Sequence, residues 1–194
     1  DIKSLKKQLR LDALARRDAL PAGYRIEASL GMADAAGRLS VEPGQTVSGF
    51  WPMRSEADIR PLMFALREQG ARLALPAILD KTMIVFRELV RGAALIDMGC
   101  GTAGPGPDAE VLDPALMLVP LAAFDVRGHR IGYGAGYYDR AIARLNARGM
   151  TPKLVGIAFD CQRGDAVPDE AHDVAVDAVL TESLGDDRQS DDVS

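Results

Sequence analysis

The sequence predicts an α/β fold of three layers, αβα, with a largely parallel central sheet in a single domain. Three observations carry this. Two helical stretches open the chain, and after them short apolar runs alternate with 3.6-periodic ones, the order that builds a parallel sheet covered by helices. A chain of 194 residues suits one domain with a sizeable core, and 47% hydrophobic residues mark it as globular. Finally, the glycines at 132, 134 and 136 run straight into a helical stretch, and a glycine loop at a helix N-terminus is where such folds bind anions. Residues 1–184 are assigned to this domain. Residues 185–194 are polar and acidic and are expected to form a disordered tail.

The elements follow in order. Ile2 to about Ala19 has helical periodicity, with Leu5, Leu9 and Ala13 as an apolar stripe and Lys3, Lys6 and Arg10 as a basic one beside it. From these residues alone, the basic stripe reads as a solvated face. Pro21 opens a second helix through Ile26, Leu30 and Ala33 to about Leu39. Thr46 to Pro52 reads as a buried strand. Ser55-Glu-Ala-Asp58 has the form of a capping box. The helix it would open has Ile59, Leu62, Met63 and Leu66 on its core face and ends at Gly70. Arg72 to Pro76, Met83 to Arg87, Ala115 to Pro120, Pro152 to Phe159 and Val174 to Leu180 supply further strands. Tyr137 to Arg148 supplies a helix with Tyr138, Ile142 and Leu145 on one face and Gly149 as its stop.

Composition excludes several classes. A net charge of −5 argues against general nucleic-acid binding, though local cations can still hold a small anion. Cys100 and Cys161 fit neither a disulfide framework nor a zinc cluster, so a reducing cytoplasm is expected. The N-terminal stretch has no apolar core of a signal peptide, and no run is long enough to span a membrane. A cytoplasmic monomer is the expectation. His129 and His172 read as loop residues.

Two stretches suggest a ligand. In Arg130-Ile-Gly-Tyr-Gly-Ala-Gly-Tyr-Tyr-Asp139, backbone N–H groups, the helix dipole and the Arg130 cation all favour phosphate. Asp139 cannot bind phosphate directly but could do so through Mg²⁺. A glycine turn that merely joins two elements has a similar composition; the charges on either side favour the phosphate reading. The second stretch, Leu95-Ile-Asp-Met-Gly99-Cys-Gly101-Thr-Ala-Gly104, looks like the loop of adenosylmethionine-dependent methyltransferases. That loop must open into a helix, whereas Pro105 and Pro107 remove donors and force an extended backbone here.

The segment Val119-Pro-Leu-Ala-Ala-Phe-Asp-Val-Arg-Gly128-His-Arg130-Ile-Gly-Tyr-Gly-Ala-Gly-Tyr-Tyr-Asp139 closely resembles the signature V-P-x-x-A-F-D-x-x-G-x-R-L-G-x-G-x-G-Y-Y-D of the 5-formyltetrahydrofolate cyclo-ligases. The resemblance extends to the basic N-terminal helix, to Phe50-Trp-Pro-Met-Arg-Ser-Glu56 and to Asp173-Val-Ala-Val-Asp. It implies conversion of 5-formyltetrahydrofolate to 5,10-methenyltetrahydrofolate, with ATP and Mg²⁺ required and ADP and phosphate released. In the implied mechanism the formyl oxygen attacks the γ-phosphate, N10 closes the ring on the formyl carbon, and phosphate leaves. Lys6 and Arg10, with the loop Arg130, Ile131, Gly132, Tyr133, Gly134, Ala135, Gly136, Tyr137 and Tyr138, are implied for ATP. Trp51 and Glu56, with Tyr133, Gly134, Gly136 and Tyr137, are implied for folate, Glu56 facing the pterin. Asp139 and Asp173 are implied for Mg²⁺, and Arg130, Tyr138 and Asp139 for the chemistry. The chain departs from the family at Gly106-Pro107, where an acid commonly precedes the proline, and at Ala135, where the loop offers no lysine. The alternatives are a methyltransferase and a non-catalytic nucleotide- or folate-binding protein of this fold.

Overall fold

The computed structural model describes residues 1–99 and 101–183, so the expected tail and Cys100 lie outside the described residues. Its centre is a six-stranded sheet formed by β1 (Thr46–Ser48), β2 (Arg72–Ile78), β3 (Ile84–Glu88), β6 (Leu116–Pro120), β9 (Lys153–Ile157) and β10 (Ala178–Leu180), in the order β10-β9-β6-β1-β2-β3. Five strands are parallel; β3 runs antiparallel to β2 at one edge. The strands of the middle, such as β6 with its burial on both faces, are continuous apolar runs because helices cover both sides.

Alternation along the strands divides the core. Val47, Leu73, Leu75, Leu116, Leu118 and Ile157 face α2 (Ala22–Ala33) and α3 (Arg60–Glu68); Ala74, Met117, Val119 and Leu154 face α4 (Tyr137–Ala147) on the other side. These are the three expected layers. Helix α1 (Ile2–Asp18) caps the end of the sheet, packing Leu9 and Ala13 on Ala123, Ile131 and Val167. Two small hairpins complete the set: β4 (Leu95–Gly99) with β5 (Thr102–Pro105), and β7 (Ala123–Phe124) with β8 (Arg130–Ile131). No helix among the described residues is long and apolar enough to cross a membrane.

Three local expectations are corrected. The second helix stops at Ala33 and tightens into a 3-10 turn over Asp34–Arg38. The strand expected to reach Pro52 ends at Ser48, and the one expected from Val174 starts at Ala178, because only those residues find ladder partners. Ser55 caps nothing: α3 starts at Arg60 without a side-chain cap, Pro61 sits in its first turn, and the Ser55 hydroxyl is taken up by α1. The glycine stretch after Leu95, by contrast, is extended before its prolines as expected, and it turns back as the β4–β5 hairpin. The helix a methyltransferase would need there is absent, since Thr102 to Pro105 pairs antiparallel with β4.

Candidate active site

The chain passes from β1 to β2 in one direction and reaches β6 on the other side of β1, so the strand order reverses between β1 and β6. A crevice opens outside the carboxyl ends of strands at such a point. A cleft of about 1060 Å³ lies there, bounded by α1, the loop after β1, the glycine loop, the hairpin β4–β5 and the turn at Glu170–Asp173. Every site residue expected from the sequence lines it. So do Lys3, Lys7, Met53, Met98, Glu170 and His172, which were not expected. Gly106 and Pro107, where the chain departs from the family pattern, do not.

The glycine loop is shaped by its backbone. Gly134 has φ +104°, and a Cβ there would lie 3.7 Å from the Arg10 guanidinium. Gly136, in the left-handed region at φ 70°, is the N-cap of α4 and provides no capping side chain. The first N–H groups of α4 therefore have no intrahelical partner and sit at the cleft wall. Arg10 Nε donates to the Gly132 carbonyl at 2.7 Å, tying α1 to the loop.

Arg130 is 5% exposed and donates from Nη2 to Asp139 Oδ1 at 2.9 Å. That carboxylate oxygen also accepts the Val174 N–H at 3.1 Å. Asp139 is thus not the isolated anion that its place in the first turn suggests; Arg130 meets part of its charge. Two buried polar atoms in the cleft wall, Arg130 Nε and the Tyr138 hydroxyl, have no partner among the described residues. Buried donors without acceptors are costly, so each such atom is a candidate for a role beyond packing. Burial, with the charge of Glu56 adding to it, pushes the Tyr138 phenol far above its ordinary value, so it stays protonated as a donor.

Asp173 binds the Lys6 ammonium and accepts the Glu170 N–H at 2.8 Å; Lys6 also pairs with Glu170 at 2.8 Å. Burial opposes ionisation of Asp173, but Lys6 and the Glu170 N–H prevail and hold it below the usual carboxylate range. The ligand atoms of Glu170, His172 and Asp173 lie within 4.8 Å of one another. Asp139 stands beside this turn, through its bond to Val174. Among the described residues no partner takes its second oxygen. The carboxylates of Asp173 and Glu170 could serve a hard cation here, Glu170 having been missed in the sequence; Asp139 lies outside this cluster and beside it.

At the other end of the cleft stands Glu56, 9% exposed. Its oxygens accept the Met53 N–H at 2.7 Å and the Tyr133 hydroxyl at 2.8 Å. Each oxygen keeps a second lone pair, so two further N–H groups can be met. Burial raises its pKa, opposed by Tyr133, the Met53 N–H, Arg17 and Arg54. Trp51 also faces the cleft, with the Arg60 guanidinium 5.0 Å from its ring centroid and its carbonyl bonded by Thr102. Arg17 escaped the sequence reading, although it stands two helical turns beyond Arg10 and so continues the same stripe.

Comparison with known proteins identifies the family and the fold. The chain is 32% identical to a 5-formyltetrahydrofolate cyclo-ligase of Mycolicibacterium smegmatis over 93% of this chain and 95% of that one. It is 31% identical to the enzyme of that name from Escherichia coli over 71% and 78% of the two chains. The solved 5,10-methenyltetrahydrofolate synthetase of Aquifex aeolicus superposes with a TM-score of 0.73 at 27% identity, over 92% of this chain and 90% of that one. The Mycoplasma pneumoniae synthetase, at 23% identity, shares the fold with a TM-score of 0.72 over 91% and 98%. With the family model for 5-formyltetrahydrofolate cyclo-ligases matching residues 2–182, the chain belongs to the 5-formyltetrahydrofolate cyclo-ligase family.

Proposed function

We propose that this chain closes 5-formyltetrahydrofolate to 5,10-methenyltetrahydrofolate, consuming ATP and releasing ADP and phosphate. The observation that carries the reading is the cleft itself: a phosphate-type helix terminus with unpartnered buried donors at one end, and a buried carboxylate suited to an amino-pyrimidine at the other. The free N–H groups of α4 and the glycine loop would hold the nucleotide phosphates, with Lys6 and Arg10 reaching them from α1. Arg130 Nε is a donor already desolvated in a residue that lines the cleft, suited to charge that develops on the transferred phosphoryl group. The Tyr138 hydroxyl, held protonated, is a second such donor. Glu56 would take two N–H groups of the pterin, with Trp51 and Tyr133 beside the ring.

No side chain need act as a covalent nucleophile. The formyl oxygen accepts the phosphoryl group, N10 forms the new C–N bond and gives up its proton, and the C–O bond to phosphate breaks, the departing phosphate taking up that proton. The protein's part is to align the two substrates and neutralise charge. Magnesium, bound by Asp139 and Asp173, would supply charge neutralisation between phosphate oxygens. We also expect a monomer working in the cytoplasm. Growth of methenyltetrahydrofolate absorbance on mixing the protein with ATP, Mg²⁺ and 5-formyltetrahydrofolate tests the reading. A chain that binds both ligands without turnover would instead be a non-catalytic binding protein of the family fold.

A further inference from the structure

Arg17 is 3% exposed, an unusual depth for an arginine. It does not itself line the cleft. Its Nε donates to the Ser55 hydroxyl at 2.9 Å and its Nη1 to the Tyr133 hydroxyl at 2.8 Å. Ser55 in turn donates to Asp18, the last residue of α1. The guanidinium lies 6.0 Å from the Tyr133 ring centroid. Thus one side chain of α1 joins two loops: 53–56, which carries Glu56, and 130–136, which carries Tyr133.

The donor inventory makes this contact directional. A guanidinium has no acceptor, so Tyr133 must receive that bond with a lone pair. Its single O–H is then free for one bond only, and it points at Glu56 Oε2, 2.8 Å away. A Glu56 that receives both the Tyr133 O–H and the Met53 N–H has two acceptor contacts that suit the carboxylate and not the acid. Without Arg17 the phenol could turn its lone pair to a protonated Glu56, whose O–H would then be a donor and leave fewer acceptor positions for the substrate.

We propose that Arg17 is a positioning residue for the pterin end of the site: through the Tyr133 hydroxyl it aims Glu56 and keeps it an ionised acceptor toward the substrate. The inference rests on the assignment of Glu56 to the pterin. The groups that face Glu56 are Arg17 from α1, Tyr133 from the glycine loop, Tyr138 from α4, and Arg54 and the Met53 N–H from its own loop. Burial raises the Glu56 pKa and the Arg17 charge opposes that rise. Loss of Arg17 therefore raises it further.

The test compares Arg17→Met, Arg17→Lys, Tyr133→Phe and the double variant Arg17→Met/Tyr133→Phe. Folate and ATP kinetics are measured from pH 5 to pH 9, with 5-formyltetrahydrofolate binding measured by calorimetry. Arg17→Met is expected to lower folate kcat/KM roughly 10- to 100-fold, the range for losing a charge-assisted hydrogen bond. Its acid limb should move to higher pH, while the KM for ATP changes little. Arg17→Lys, which keeps the charge and one donor, should recover part of both. In the Tyr133→Phe background, Arg17→Met should cost much less than it does in the wild type, because the hydrogen-bonded part of its effect runs through that hydroxyl and only the direct charge effect on Glu56 remains. An acid limb that stays in place, equal rises in both KM values, or additive effects in the double variant would overturn the role of Arg17. So would a lowered Tm with folate kinetics unmoved. If Arg17→Met fails to fold, Arg17→Lys and Tyr133→Phe carry the same comparison. A wild-type chain that neither binds nor converts 5-formyltetrahydrofolate overturns the functional reading instead, and the inference with it.

Discussion

Asp139→Asn separates a cation-binding carboxylate from a structural one. In the fold, Asp139 Oδ1 accepts from Arg130 Nη2 at 2.9 Å and from the Val174 N–H at 3.1 Å. Asparagine retains a carbonyl oxygen, so both bonds can persist, but neither is charge-assisted on the acceptor side. The difference between charged and neutral hydrogen bonds is about 1 kcal/mol. Arg130 is 5% exposed and feels the lost counter-charge; Asp139 is 22% exposed, which moderates it. For a chain of this length, about 1 kcal/mol lowers Tm by about 2–4 °C. Asp139→Ala removes both bonds and leaves the Arg130 guanidinium without its acceptor. The cost of breaking a buried pair is about 3–5 kcal/mol, and the partial exposure of Asp139 puts it near the lower end, a fall of about 6–12 °C. Catalysis should show the opposite proportion. In the asparagine variant an amide N–H₂ occupies the second oxygen's place, where it repels a cation. The Mg²⁺ concentration for half-maximal rate should rise at least roughly 10- to 100-fold, the loss seen when a metal site loses even a supporting partner. The assay is initial rate against Mg²⁺ at fixed ATP, with Tm measured in parallel. Wild-type Mg²⁺ dependence in Asp139→Asn, with only the Tm lowered, would remove Asp139 from the metal site and leave it as the partner of Arg130.

Other outcomes follow from the same geometry. Arg10→Ala and Arg130→Ala should each weaken ATP binding in calorimetry, by roughly 10- to 100-fold; unchanged affinity in both would leave the basic face as solvation. Glu56→Gln should raise the folate KM more than the ATP KM, because the amide loses one acceptor and the charge. In the wild type, folate kcat/KM should fall as pH drops through a Glu56 pKa that burial holds above the ordinary value, and this acid limb should vanish in Glu56→Gln. The sign for stability runs the other way. The unfolded chain ionises Glu56 at lower pH than the folded one, so this group's contribution falls as pH rises between the two values and is constant above them. Adenosylmethionine should give a far smaller thermal shift than Mg·ATP, since the glycine stretch after Leu95 is a hairpin without a helix terminus; equal shifts would contradict this.

Local sequence rules determined most of the elements. Helical periodicity placed α1, α3 and α4 within a few residues of their observed bounds, because each buries one face that repeats every three to four residues. Apolar runs placed β2, β3, β6 and β9 for the complementary reason: strands covered on both sides, β6 above all, are apolar through their middle, with the charged positions at the ends of the others. The glycine loop and its charged flanks were legible because φ values such as +104° at Gly134 require the missing Cβ. Its long match to a family signature then supplied the substrate reading. What the sequence could not give is pairing between distant residues. Ser55 reads locally as a cap, yet its hydroxyl serves Arg17 and Asp18, thirty-eight and thirty-seven positions back. Asp139 reads as an isolated acid, yet Arg130 neutralises part of it. Lys6 meets Asp173 and Glu170 from the far end of the chain. The basic stripe of α1 is the clearest case. Its spacing records only that these cations share a helix face. Whether that face meets water or a cleft depends on where α1 lies across the sheet's end, which is fixed by the packing of Leu9 and Ala13 on Ala123, Ile131 and Val167. No local propensity encodes that contact, because its partners are more than a hundred residues away and come together only once the sheet has formed.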